Sequence, residues 1–238
     1  MRSFEYFTPT RVVFGKDTHL KIATLLKEQN CKKVLIHYGG HSAVKSGLIN
    51  EIRSVLDEAG IAYVTLGGVV PNPRLSKVRE GIELCRRENV DFLLAVGGGS
   101  VIDSCKAIGY GLANPETDVW NFFLRTETPK ACLPVGVILT IAASGSEMSN
   151  SCVITNEEGW LKRSTARNDL CRPRFAILTT AYIHLTSVSD RKRLCGYPDA
   201  YHGTVFCKYR NYGNYRQHQR ISDADGNLQF PYLAERAG

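Results

Sequence analysis

The residues of this 238-residue chain best suited to chemistry are 97–106, which read GGGSVIDSCK and follow the apolar run VDFLLAV. Glycines without Cβ atoms let the backbone come within hydrogen-bonding distance of a ligand. The helix predicted to follow offers unpaired N–H groups and the positive end of its dipole, which favour a phosphate. Ser100 adds a hydroxyl, and the spacing of Asp103 and Lys106 places both on the predicted helix surface. The pattern is neither G-x-G-x-x-G nor a P-loop, so a plain strand-to-helix turn remains the alternative to a pyrophosphate cradle.

Strands and helices are predicted to alternate around this stretch. Apolar runs predict strands at 33–38, 61–66, 90–96, 134–140 and 174–178, and apolar positions at helical spacing predict helices at 44–59 and 77–88. Such alternation is typical of an α/β fold, here a Rossmann-like doubly wound parallel sheet over residues 1–178. Ligands of these sheets bind at the carboxyl ends of the strands, where the glycines at 39–40 and 97–99 and the loop after Thr140 would meet.

Composition restricts the class of protein. The longest apolar run is too short to cross a bilayer, and the first 15 residues lack the apolar segment of a secretory signal. Eight cysteines without a C-x-x-C pair favour reduced thiols in a cytoplasmic protein. The net charge of +7 is spread along the chain, and an anionic cofactor accounts for it as well as nucleic acid would. We therefore expect neither a membrane nor a nucleic-acid partner.

The sequence pattern changes after Leu178. Residues 179–238 contain seven of the eleven tyrosines and show no sustained apolar period, so they cannot bury enough surface to offset the entropy of ordering. The prediction is a dinucleotide-binding domain at 1–178 and a non-native or disordered tail at 179–238. Two alternatives stay open. The chain could be a truncated product without function, or an interaction protein whose basic, tyrosine-rich tail stacks on bases.

Four more motifs accompany the glycine loop, namely TPTRVVFG at 8–15, VVPNPRL at 69–75, TIAASGSEMSNSCVIT at 140–155 and CRPRFAIL at 171–178. In this order and spacing they resemble the iron-containing (group III) alcohol dehydrogenases, especially the butanol dehydrogenase-like, NADPH-dependent branch. The resemblance covers roughly residues 4–178. Glycerol and sugar-phosphate dehydrogenases and dehydroquinate synthases are also similar, but they fit ASGSEM and CRPRFAIL less well.

The resemblance implies a cofactor site, residue by residue. Its members are Gly97, Gly98, Gly99 and Ser100 at the pyrophosphate, Asp103 behind them, Asn72 and Lys162 near the ribose, the hydroxyls of Thr140 and Ser144, Leu178 below the nicotinamide, and the loop of Gly39, Gly40, His41 and Ser42 that selects the cofactor. An acidic residue in that loop would bind a ribose 2′-hydroxyl and repel a 2′-phosphate. The loop has none, so NADP is favoured over NAD.

The resemblance also implies hydride transfer between a small alcohol or aldehyde and the nicotinamide, aided by Fe²⁺ or Zn²⁺ as Lewis acid. In this family one Asp and three His of a helical second domain hold the metal, beginning with D-x-x-x-H on one helix face. That motif is absent from this reading frame, because Asp190 and Asp199 have the wrong spacing to His202. We expect the second domain and its metal site to be missing, and turnover with them. A homodimer through edge strands is a further implication.

A one-base frame change near residues 179–181 would explain the tail. When bases two and three of each codon are read with base one of the next, residues 196–206 can encode D-I-L-M-H-T-M-E-R-Y-F. The Gly196 codon can then give the aspartate, and the Ala200 codon the histidine, of the missing metal motif. Codon degeneracy makes single matches weak, so the hypothesis depends on the length of the gap-free match.

Overall fold

The structure, a computed structural model, describes residues 8–40, 42–166 and 170–182 and the strands Ile221–Ser222 and Leu228–Gln229. The chain divides into two units, Met1–Cys207 and Lys208–Gly238. In the second unit, the two short strands pair in antiparallel fashion. The dinucleotide-binding fold belongs to the first unit.

The described helices and strands alternate in the first unit. The helices are α1 Ile22–Glu28, α2 Ser42–Lys45, α3 Leu48–Glu58, α4 Leu75–Glu88, α5 Gly99–Ala113 and α6 Val119–Leu124. The strands are β1 Arg11–Gly15, β2 Lys33–Gly39, β3 Ala62–Val69, β4 Phe92–Gly97, β5 Val135–Leu139, β6 Ser151–Asn156, β7 Leu161–Ala166 and β8 Phe175–Thr179. None of the described helices combines the length and the apolar character needed to cross a membrane.

A six-stranded sheet in the order β1-β8-β5-β4-β2-β3 forms the centre of the unit, and every neighbouring pair is parallel. The predicted α/β class and parallel sheet are confirmed. Between β4 and β2 the strand order reverses direction, because β4 is followed in the chain by β5 on one side while β2 is followed by β3 on the other. This switch point is where doubly wound sheets bind ligands.

Apolar side chains on both faces of β4 explain why this strand reads as a continuous apolar run. Phe92, Leu94 and Val96 belong to a core shared with α1 and α3. Leu93 and Ala95 belong to a second core on the opposite face, with α4, α5 and α6. Successive side chains of a strand point to opposite faces, so a strand covered on both sides must be apolar at every position.

Two sequence predictions need correction. The single helix predicted over 44–59 is wrong, because Gly47 adopts φ +85° and separates α2 from α3. A left-handed residue interrupts a right-handed helix, and glycine takes that conformation without a Cβ clash. The antiparallel hairpin of β6 and β7, outside the main sheet, was not predicted although Cys152 and Ile154 alternate inward along β6.

Candidate functional site

Gly97, the last residue of β4, and the start of α5 form a glycine-rich turn at the carboxyl end of the sheet. Gly98 is the N-cap of α5, and no side chain caps it. The amides of Val101 and Ile102 donate to the Gly98 carbonyl, at 3.0 and 3.1 Å. The first N–H groups of a helix have no partner within it. The turn therefore presents the N–H groups of Gly99 and Ser100 with the positive end of the helix dipole.

The loop after β5 lies directly across this turn. The Thr140 amide donates to the Gly97 carbonyl at 3.1 Å. A Cβ placed on Gly98 would lie 2.4 Å from Ile141 Cγ2, and one on Gly99 would lie 2.3 Å from Ser144 Oγ. Both distances are far below van der Waals contact, so these positions admit only glycine while the loop keeps its place. The structure thus brings the predicted residues Thr140 and Ser144 to the glycine turn.

The glycine pair at the end of β2 lies beside this turn. Tyr38 of β2 is in register with Val96 of β4, so Gly39 and Gly97 are the next positions on adjacent strands. Gly40 follows, and Ser42 begins α2. His41 lies outside the described residues. The two glycine segments predicted to bind different parts of one dinucleotide therefore meet at the switch point of the sheet.

Asp103 and Lys106 differ from their predicted placement on the helix surface. Lys106 is fully buried, and its Nζ donates to the carbonyls of Ser146, Ser149 and Ser151 at 2.7 to 2.9 Å. Asp103, half-buried, accepts hydrogen bonds from the Ser146 hydroxyl and from the Val153 amide. The prediction was wrong about the surface because the 146–153 segment, with the start of β6, covers this side of α5. Both side chains fix that segment behind the glycine turn.

Burial and charge act against each other at this network. Burial raises the pKa of Asp103, and the Lys106 ammonium opposes that rise. Burial also raises the pKa of Glu147, which lies in the same segment and is likewise opposed by Lys106. A single buried cation is thus surrounded by two carboxyl groups and three carbonyl oxygens, and its desolvation is compensated by hydrogen bonds at every donor.

Asn72 and Lys162 meet across 90 residues of sequence. Asn72 adopts the left-handed conformation, φ +57°, in the Pro71–Pro73 turn before α4. Lys162 Nζ, on β7, donates to Asn72 Oδ1 at 2.8 Å. The Thr155 amide of β6 donates to the Pro73 carbonyl at 2.9 Å, which attaches the hairpin to the turn. These two predicted site residues therefore form one unit, and the hairpin that joins them was the element sequence reasoning missed.

Leu178 lies near the carboxyl end of β8, although the strand continues one residue further to Thr179. It is buried and packs in the core beneath α5 and α4. Its side chain can therefore support a ligand site from below through packing. It offers no polar contact of its own.

A metal centre does not fit the described residues. Within them no group of three or more His, Cys, Asp and Glu side chains could hold a metal ion. Asp190, Asp199 and His202, considered from the sequence, lie outside the described part of the chain.

Comparison with known proteins extends the geometric result. A sequence profile described as iron-containing alcohol dehydrogenase matches residues 9–180. The chain belongs to the iron-containing alcohol dehydrogenase family. It is similar to the NADH-dependent butanol dehydrogenase A of Clostridium acetobutylicum, with 41% identity over 182 residues, 76% of this chain and 46% of that protein. It is also similar to the NADPH-dependent aldehyde reductase YqhD of Escherichia coli, with 35% identity over 209 residues, 86% of this chain and 52% of that protein.

Solved structures of this family share the fold. The NADH-dependent butanol dehydrogenase A of Thermotoga maritima superposes with a TM-score of 0.71 and 40% identity, covering 75% of this chain and 44% of that one. The chain spans about half the length of the curated relatives it matches. As predicted from its motifs, the chain is an iron-containing alcohol dehydrogenase homologue over its N-terminal three quarters, with relatives named for NADH and for NADPH.

Proposed function

We propose that the described α/β unit is the dinucleotide-binding part of a metal-dependent alcohol dehydrogenase or aldehyde reductase, and that its dinucleotide is NADP. One observation carries the proposal. Gly39 and Gly97 lie at equivalent ends of adjacent strands, so two glycine-lined turns open on the same crevice. A dinucleotide needs two such places, because its pyrophosphate and its adenosine ribose bind apart.

The chain's own residues suit the parts of this ligand. The N–H groups of Gly99 and Ser100 can bind the pyrophosphate, and the loop at Ser144 can close over it. The Asn72 and Lys162 unit lies on a separate support, the hairpin, and can hold a ribose hydroxyl. When bound, the nicotinamide accepts or donates the hydride exchanged with an alcohol or aldehyde. Because the described residues hold no metal cluster, no step is assigned to a metal.

The preference for NADP depends on the loop after β2. Residues 39–42 carry no acidic side chain to repel a 2′-phosphate. The names of the relatives support either cofactor, since the butanol dehydrogenases are NADH-dependent and the aldehyde reductase is NADPH-dependent. A direct test is fluorescence titration of the full chain with NADPH and with NADH. We expect saturable binding of both and tighter binding of NADPH.

A charged variant sharpens the test. A Cβ on Gly40 meets nothing within 4 Å, so Gly40→Asp adds a carboxylate without a clash. It should reverse the preference toward NADH by repelling the 2′-phosphate, whereas the control Gly40→Ala should leave it unchanged. Absence of saturable binding by the folded wild-type chain would remove the dinucleotide proposal. Equal effects of Asp and Ala would remove only the NADP preference.

We further propose that the chain in its printed frame does not turn over alcohols, and that a one-base frame change near residues 179–181 separates it from its metal ligands. The D-x-x-x-H motif is absent from the printed frame, whereas the shifted frame can encode it at residues 196–200. Sequencing the coding DNA tests the hypothesis. Stop codons in the shifted frame over this region would exclude it.

A homodimer is proposed through β1, an edge strand of the sheet. Its Val12 and Phe14 are large apolar side chains with 37% and 44% exposure, which suits a covered edge. Sedimentation velocity should show a dimer that Val12→Lys converts to monomer. A monomer at all concentrations would contradict it.

A further inference from the structure

A cleft of about 430 Å³ lies between α6 and the outer strand of the hairpin, β7. The lining residues are Phe123, Leu124, Arg125, Lys162, Arg163 and Ser164. This volume is within the range of small-molecule sites. The lining combines three cationic side chains, one hydroxyl and an apolar wall, and it contains no carboxylate.

Two of these cations lack a counter-charge. Within the described residues, neither Arg125 nor Arg163 takes part in an ion pair or a side-chain hydrogen bond, whereas Lys162 already donates to Asn72. Elsewhere in the described chain, Arg11 and Arg79 pair with carboxylates across the surface. Like charges that converge on a concave surface without carboxylates attract an anion, because the cavity concentrates their field.

The backbone of Arg125 supports the same conclusion. Arg125 ends α6 in the left-handed conformation, φ +64°. Glycine or asparagine usually occupies this helix end, and another residue costs roughly 1–2 kcal/mol there. A strained conformation at a residue facing a cleft is an observation from which function can be inferred. The side chain retained at this cost is a guanidinium, the group best shaped to bind phosphate through two parallel hydrogen bonds.

We propose that the cleft binds a phosphate group through Arg125 and Arg163, at a site separate from the pyrophosphate turn at α5. The three cations match the double negative charge of a phosphate at neutral pH. Ser164 can donate a hydrogen bond to it, and Leu124, 44% exposed, can contact an apolar substituent. The shared chemistry is a phosphate, supplied either as the free ion or as a small phosphomonoester. This proposal does not depend on dinucleotide binding.

The test is a ³¹P NMR titration of the full chain with inorganic phosphate and, separately, with phenyl phosphate. Binding of either probe should weaken about tenfold in Arg163→Gln, since each charge-assisted hydrogen bond contributes about 1.5–3 kcal/mol and 1.4 kcal/mol is tenfold. Arg163→Lys should retain part of the affinity, because it keeps the charge without the planar fork. Tighter binding of phenyl phosphate would identify the phosphomonoester, and equal binding the free ion.

Arg125→Gly removes the second guanidinium at a position whose backbone favours glycine, so the variant should fold at least as well as wild type. It too should lose about tenfold in affinity. Lys130→Gln, which removes an exposed cation outside the cleft lining, is the matched control and should change nothing. Absence of phosphate binding by the folded chain would overturn the proposal. So would equal losses in the control, or displacement of the phosphate by NADPH, which would assign it to the pyrophosphate turn.

Discussion

Lys162 Nζ and Asn72 Oδ1 lie 2.8 Å apart, and this contact joins the hairpin of β6 and β7 to the turn that precedes α4. The two residues are exposed, so the pair itself contributes little to the free energy of unfolding. Their proximity therefore indicates a functional unit at the carboxyl edge of the sheet more than a stabilising ion contact.

Replacing Lys162 by Met should weaken NADPH binding about tenfold and change the free energy of unfolding by less than about 1 kcal/mol. The ammonium is lost from the proposed ribose site, while an exposed contact is lost from the fold. NADPH fluorescence titration and urea unfolding measure the two quantities.

The neighbouring variant Arg163→Gln is the matched control for charge, because alternate residues of β7 point to opposite faces. It should leave NADPH affinity close to that of wild type. If Lys162→Met and Arg163→Gln weakened NADPH binding equally, a general loss of positive charge would explain both, and the proposed role of Lys162 would be wrong.

Gly98→Ala should weaken dinucleotide binding by at least tenfold. The added methyl would lie 2.4 Å from Ile141 Cγ2, so either the α5 turn or the loop after β5 must move away from its position. Gly40→Ala, whose methyl meets nothing within 4 Å, is the control for loss of a glycine in this region. NADPH affinity of Gly98→Ala equal to that of wild type would show that the glycine turn does not bind the pyrophosphate.

The parallel sheet could be predicted from the sequence because β4 and β5 are covered on both faces and therefore read as unbroken apolar runs. The glycine turn could be located because it follows such a run. The placement of Lys106 could not, since helical spacing gives the side of a helix but not what covers it. The Asn72 and Lys162 contact was equally inaccessible, because it depends on a hairpin whose partner lies 90 residues away.

Asp103→Asn should destabilise the fold by about 2–4 kcal/mol. Lys106 is fully buried, and removal of the nearby negative charge leaves its ammonium less compensated. Asparagine also places an N–H₂ group where one of two donors, the Ser146 hydroxyl or the Val153 amide, now binds. Urea unfolding at neutral pH gives the change in free energy.

Glu28→Gln is the control for this variant, because it removes a carboxylate from the exposed pair with Arg11 and should cost less than about 1 kcal/mol. The double variant Asp103→Asn/Lys106→Met should be less destabilised than the sum of its single variants, since the charge left uncompensated by the first change is absent. Strict additivity would contradict a coupling between the two side chains.

His37 makes the stability of the unit depend on pH. The ring is fully buried, and burial lowers its pKa from 6.5 to about 4. Nδ1 lies 2.8 Å from the Leu66 carbonyl, so it donates there, and Nε2 accepts from the Ser104 hydroxyl at 2.9 Å. The folded state thus binds the neutral ring, whereas the unfolded chain takes up a proton below pH 6.5. The contribution of His37 is complete above pH 6.5 and decreases as the pH falls toward 4.

The free energy of unfolding should therefore fall by about 1.4 kcal/mol per pH unit from this residue alone, or roughly 2 kcal/mol between pH 6.5 and 5. His37→Gln removes the titrating ring, so its urea-unfolding free energy should fall less steeply over that range by the same amount. Other groups titrate in both proteins, and comparison of the two slopes cancels them. Equal slopes would show that His37 is protonated in the folded state. NMR titration of the wild-type ring, which should stay neutral at pH 5, tests the same point independently.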